Sequence, residues 1–166
     1  NRIKLSVKDT MDKVIEKFVQ YGRSENMLVT GVPGIGKTSI VSWMANEYKE
    51  NNNIIVLRFR DWDRGELDDG LFKAICDTLD CRKRNLENKI IILDGFDEIK
   101  TLNNGEDLIR DFLNGILDFK NMKAIITSRT NYIKDNLFEN SISLLPFQIE
   151  DIKRFYGIIT GDELIN

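Results

Sequence analysis

Eight consecutive residues, Gly31-Val32-Pro33-Gly34-Ile35-Gly36-Lys37-Thr38, complete the pattern G-x-x-x-x-G-K-[ST]. Each residue type in it has a task in holding a polyphosphate. The glycines let the backbone curl into a nest whose N–H groups converge on one anion. Lys37 brings a point charge within reach of β- and γ-phosphates. Thr38 offers a hydroxyl to Mg²⁺, which prefers hard oxygen ligands. The flanks suit the task. Met27 to Thr30 is a short apolar run of strand type, and Ile40, Val41, Met44, Ala45 and Tyr48 recur at helical spacing between Ser39 and Glu50. Strand, loop and helix in that order place an anion at a helix N-terminus, where the dipole also favours negative charge. A glycine-rich turn that binds nothing is the alternative, and the flanks argue against it. The nucleotide-binding stretch therefore reads Gly31 to Ser39, with Lys37 also a candidate in the chemistry.

A second constellation is Asp94-Gly95-Phe96-Asp97-Glu98, at the end of the apolar run Lys89 to Leu93. An acid in that place, well downstream of a phosphate loop, is the expected partner of Mg²⁺, often through a water. Asp94 takes that part, and Thr38 and Asp94 are the candidate metal residues. Phosphoryl transfer to water also needs a group that orients the nucleophile. Glu98 is the first choice for it and Asp97 the second. Arg129 follows the apolar stretch Ala124 to Thr127, and it would face a γ-phosphate if that strand lay beside the phosphate-loop strand. The structural alternatives are a cap or turn role for the acids and a salt bridge at a strand end for Arg129. Arg58 and Arg60 read as structural or interfacial, and Trp43 and Trp62 as packing residues.

The elements that must position these groups alternate along the chain. Arg2 to Leu5 suits a short extended piece and Thr10 to Tyr21 a helix ended by Gly22. Asn51 to Asn53 is a turn cluster, Ile54 to Arg60 a second strand, and Asp61 to Gly65 a loop. Leu67, Leu71, Ile75 and Leu79 mark one helix, and Leu108 to Leu117 carry the clearest apolar stripe. Ala124 to Thr127 is the fourth strand and Ile142 to Leu145 the fifth, closed by Pro146. Ile149, Ile152, Phe155 and Ile159 suggest a last helix. Such alternation predicts a three-layer α/β sandwich around a mainly parallel sheet. Ligands of such sheets bind beyond the carboxyl ends of the strands, where the loop, Asp94 and Arg129 all fall.

The chain has 166 residues, 42% hydrophobic and 31% charged, and a net charge of −3. That is enough for one globular domain without a disulfide or metal staple. The charge gives no support to broad adhesion to nucleic acid or membranes. Cys76 and Cys81 read as reduced thiols, and the absence of histidine argues against a zinc site. No apolar run reaches transmembrane length, so a cytoplasmic location is expected. The Asn, Lys and Ile content resembles that of proteins from AT-rich bacterial genomes. The start at Asn1 without methionine suggests a segment of a longer protein.

The strand ending in Asp94-Gly95-Phe96-Asp97-Glu98 resembles the signature of NACHT domains, within the signal-transducing STAND class of P-loop NTPases. Thr127-Ser128-Arg129 is similar to that family's sensor arginine. Leu144-Leu145-Pro146-Phe147 with Glu150-Asp151-Ile152, and the stretch Arg58 to Trp62, resemble supporting segments. The likeness runs from about Met27 to Tyr156 and makes residues 1–166 one NACHT-type nucleotide-binding domain. It implies the sheet order 5-1-4-3-2, binding of ATP (less often GTP) with Mg²⁺, and slow hydrolysis. It implies a switch in which nucleotide exchange governs self-association and a fused effector, in defence or signalling in many bacterial members. By the same resemblance Lys37 and Thr38 bind phosphate and metal, Asp94 holds Mg²⁺, Glu98 or Asp97 positions water, and Arg129 reads the γ-phosphate.

The family continues into a helical bundle and a winged-helix lid whose histidine often touches the nucleotide. This sequence has neither, so weak nucleotide binding and turnover are expected of it, with adenine contacts near Ile3 to Leu5 and before Met27. Three other activities fit parts of the pattern. An AAA-type motor ATPase would need an arginine finger, and Arg110 carries no mark of one. A nucleotide-dependent scaffold would not need its acids intact. A nucleotide kinase would need a second-substrate lid.

Overall fold

The structure is a computed structural model, and it describes residues 9–20, 22–48, 53–99 and 104–146. Five parallel strands form one sheet: β1 (Glu25–Gly31), β2 (Ile54–Arg58), β3 (Ile90–Asp94), β4 (Lys123–Ser128) and β5 (Asn140–Leu144). Their spatial order is β2-β3-β4-β1-β5, the order 5-1-4-3-2 read from the other edge. β1 thus lies between β4 and β5, with Thr30 opposite Ser128 on one side and Ser143 on the other.

Side chains of a strand alternate between its two faces, and here both faces are covered. Met27 and Val29, Ile90 and Ile92, with Ile125 and Ile142, pack with Ile15 and Phe18 of α1 (Asp9–Gln20) and Val41 and Met44 of α2 (Lys37–Glu47). The intervening residues Leu28, Ile91, Leu93, Ala124 and Ile126 face the other way. They pack with α3 (Arg64–Leu67), α4 (Leu71–Thr78) and α5 (Gly105–Ile116). This second layer is the larger and holds most of the buried aromatics. Phe59 meets Trp62 and Phe96 edge-on, with centroids 5.8 and 5.4 Å apart. Burying a side chain such as Phe112, 1% exposed, stabilises the fold by about 1.5–3 kcal/mol. Trp62 is a packing residue as expected, and its indole N–H donates to Thr78 Oγ1 at 2.8 Å.

Several boundaries differ from the sequence reading. β2 ends at Arg58, because Phe59 turns into the core and starts a 3₁₀ turn to Asp61. The stretch expected to be loop contains the start of α3, set by a capping box. Asp63 Oδ1 accepts from the Glu66 N–H at 2.9 Å, and Glu66 Oε2 accepts from the Asp63 N–H at 2.7 Å. The single helix expected through Leu67 to Leu79 is two helices, broken at Gly70. α2 begins at Lys37, inside the phosphate motif, and ends at Glu47. The expected extended piece at Arg2 to Leu5, the turn residues Asn51 and Asn52, and the expected last helix lie outside the described residues.

α4 closes with a Schellman motif. The Cys81 N–H donates to Cys76 O at 3.0 Å and the Asp80 N–H to Asp77 O at 3.3 Å, with Asp80 at φ 46°. Cys76 and Cys81 are free thiols, and burial, then the neighbouring Cys81, push the Cys76 thiol up.

At the amino end of the sheet, Lys123 is buried at the first position of β4. Its ammonium donates to Phe18 O and, at 3.0 Å, to Val19 O, carbonyls at the C-terminus of α1. It also lies 5.4 Å from the centroid of the Phe18 ring. A cation there satisfies carbonyls that the helix leaves open and complements its dipole. Burial pushes the Lys123 pKa down, partly opposed by Glu25, its register partner on β1.

Candidate functional site

The phosphate loop leaves β1 at Gly31 and enters α2 at Lys37. Gly36 caps α2 with φ 102°, a left-handed conformation that side chains disfavour, and no side chain caps the helix. The first turn of α2 carries no acid. Its N-terminus therefore presents open N–H donors with no acid in its own first turn, which favours anion binding. Val32, Pro33 and Gly34 are exposed, whereas Ile35 and Gly36 are half-buried. Lys37 is half-buried, and its ammonium donates to Gly31 O at 2.8 Å and Val32 O at 3.1 Å, folding back over its own loop. Thr38 and Ser39 are exposed on the first turn of α2.

The acids lie beside this loop because β3 and β4 deliver them to the same edge. Asp94 is the last residue of β3 and is 9% exposed. Its Oδ2 accepts from Thr38 Oγ1 at 3.2 Å, joining motifs 56 residues apart. Two hard oxygens at that separation suit the shell of one small divalent cation, taken directly or through water. Among the described residues no cluster of three His, Cys, Asp or Glu side chains is placed to hold a metal alone. Mg²⁺ commonly takes one or two protein oxygens together with substrate phosphates and water.

After Asp94 the chain turns sharply. Gly95 has φ 81° and opens a 3₁₀ turn, Phe96 to Glu98, closed by the Glu98 N–H donating to Gly95 O at 2.9 Å. A Cβ on Gly95 would stand 3.0 Å from Cδ of Glu98, so the exposed Glu98 side chain folds back across a position whose conformation and crowding favour glycine.

Asp97 goes to Arg129. Its Oδ2 is 2.7 Å from Arg129 Nε, and its Oδ1 accepts from the Arg129 N–H at 2.9 Å. The Asp97 side chain is 6% exposed and that of Arg129 47%. Both bonds tie the start of the loop after β4 to the turn after β3. β4 is adjacent to β1, the condition under which Arg129 was expected to face a γ-phosphate.

The edge thus gathers the loop, Asp94, Asp97, Glu98 and Arg129. The residue that sequence reasoning missed is Thr127. It is fully buried; its Oγ1 donates to Asp94 Oδ1 at 2.5 Å and accepts from the Gly95 N–H at 2.8 Å. The available signal was a polar residue closing an apolar strand. Arg58 and Arg60 are exposed, and Arg110 pairs with Asp107 on the surface of α5.

A five-stranded parallel sheet of this order, with a glycine-rich loop from its β1 and an acid ending β3, defines a P-loop NTPase domain. The family model for the NACHT domain matches residues 25–157, and the chain belongs to that family. Among solved structures it is similar to a single-substitution variant of Thermotoga maritima RuvB, at 15% identity and a TM-score of 0.57, over 93% of this chain and 51% of that one. It is also similar to Cdc6p from Pyrobaculum aerophilum, at 14% identity and a TM-score of 0.58, over 89% and 46%. These likenesses show the fold, and the chain spans about half the length of both proteins. No curated protein matches the sequence.

Proposed function

We propose that this domain is a nucleotide-dependent switch of the STAND type, binding ATP in preference to GTP with Mg²⁺ and hydrolysing it slowly. The observation that carries this is the contact of Thr38 with Asp94, which joins the phosphate loop to the acid ending β3. The nest and Lys37 hold the phosphates, with the ammonium exchanging its loop carbonyls for phosphate oxygens. Thr38 and Asp94 would hold Mg²⁺, which would supply charge neutralisation to the bound phosphates. Glu98 orients the attacking water. Asp97 holds Arg129, whose guanidinium reads the terminal phosphate.

Family membership supports the further reading that the switch is coupled to self-association or a fused effector, with a signalling or defence role in the cytoplasm as the setting that suits it. Among the described residues no helix is long and apolar enough to cross a membrane.

Titration of wild type and Lys37→Ala with ATP and GTP tests this reading. The variant is expected to bind about 10–100-fold more weakly, the loss of a charge-assisted contact to phosphate. Equal affinity of the two proteins would remove the proposed phosphate contact. Hydrolysis followed across a protein concentration series separates a switch from a motor, since a motor's activity rises steeply on assembly.

A further inference from the structure

We propose that Thr127 is the positioning residue of the metal-binding acid, fixing which oxygen of Asp94 is offered to the cation. This rests on the nucleotide and Mg²⁺ reading above. A threonine hydroxyl has one proton to donate and lone pairs to accept with. Thr127 uses both kinds. Its proton goes to Asp94 Oδ1 at 2.5 Å, and its oxygen accepts the Gly95 N–H at 2.8 Å. The hydroxyl therefore clamps two consecutive residues of the β3 turn from the neighbouring strand.

Two effects follow. An ionised carboxylate can accept through either oxygen and turn about its last torsion. With Oδ1 bound inward to Thr127, Oδ2 is left for Thr38 and the side of the phosphate loop, where it is found. The Gly95 N–H, committed to Thr127, also fixes the left-handed turn that aims Asp97 at Arg129 and folds Glu98 back. β-branching restricts the rotamer of Thr127 within a strand, so the hydroxyl is held in one direction. Its neighbour gives a built-in contrast. Ser128 is equally buried, and its hydroxyl has no hydrogen-bond partner among the described residues.

The test reads metal-dependent nucleotide affinity rather than turnover. A fluorescent ADP analogue is titrated with Mg²⁺ and with EDTA, and the ratio of the two dissociation constants is the Mg²⁺ increment. For Thr127→Val, close in shape and lacking the hydroxyl, the increment is expected to fall about tenfold or more, the usual effect of losing an outer partner of a metal ligand. Affinity in EDTA stays within about twofold of wild type, which also reports that the variant is folded. Thr127→Ser restores the hydroxyl and the increment. Ser128→Ala leaves the increment unchanged. Should Thr127→Val not fold, Thr127→Cys, with a weak donor in the same place, takes its part and is expected to lose the increment.

The inference is overturned if the hydroxyl-less variant keeps the wild-type increment, if Thr127→Ser loses it, or if Ser128→Ala loses it equally. Failure of the wider reading looks different, because wild type itself would then bind no nucleotide or show no Mg²⁺ increment.

Discussion

The two halves of the site are built in opposite ways. The phosphate loop is bonded mainly to itself: Lys37 reaches Gly31 O and Val32 O, the Ile35 N–H donates to Val32 O at 3.3 Å, and no side chain caps α2. The acid and arginine half is bonded across strands. Thr127 holds Asp94 and Gly95, and Asp97 holds Arg129, in bonds 32 or 33 residues apart in sequence. One half offers donors to whatever anion arrives. The other has its geometry fixed before any ligand is present, which is how reacting groups gain from preorganisation. The difference teaches that cradling the phosphates and orienting the groups around them are separable tasks here, even though Thr38 and Asp94 touch.

Replacing Glu98 tests that separation most severely. In Glu98→Gln the carboxylate proposed to orient water is lost while the loop is untouched. Steady-state phosphate release is expected to fall about a hundredfold or more, with ATP affinity as in wild type. A variant that hydrolyses as fast as wild type would remove Glu98 from the chemistry. A smaller change is expected for Arg129→Ala. Its preference for ATP over ADP should fall about tenfold, the size of a charged hydrogen bond to the terminal phosphate. Competition binding that shows both nucleotides weakened alike would instead place Arg129 in the structural support of β4.

The smallest effect is expected far from the loop, at Lys123. Its folded pKa lies below the ordinary 10.5, so between the two values the unfolded chain binds more protons and stability rises with pH. Lys123→Met removes that slope. Melting midpoints compared from about pH 8 to about pH 10 should show wild type gaining on the variant as pH rises. Nucleotide affinity should not change. A constant gap would mean that folding does not lower the Lys123 pKa, and a loss of binding that the two ends of β4 are not independent.

Much of this was legible in the sequence. β1, β3 and β4 each carry a short apolar centre, Met27 to Val29, Ile90 to Leu93 and Ala124 to Ile126, as strands covered on both faces do. The stripe of Ile109, Phe112, Leu113 and Ile116 identified α5, since all four are buried. The strand order came with the family resemblance rather than from periodicity. Leu67, Leu71, Ile75 and Leu79 recur every four residues and so pass over Gly70, which hid the break between α3 and α4. In the site, motif residues could be recognised by type, but their partners could not. Asp97 reads as the second candidate for orienting water, and its bonds to Arg129 come into view only when β3 and β4 lie side by side. Thr127 reads as an ordinary strand residue until its hydroxyl is seen beneath Asp94.

The place of β1 has a consequence for how the domain comes into being. Its two neighbours are β4 and β5, whose residues begin at 123 and 140, whereas β1 ends at residue 31. During synthesis β1 is made before either neighbour and then waits, as an unpaired strand with an apolar centre, for some ninety residues. β2 and β3, separated by a much shorter stretch, have each other available first. Pairings so distant along the chain close slowly. A ribosome that stalls before residue 123 would leave β1 without either of its strand neighbours, and the nascent chain would display an apolar strand rather than a nucleotide site.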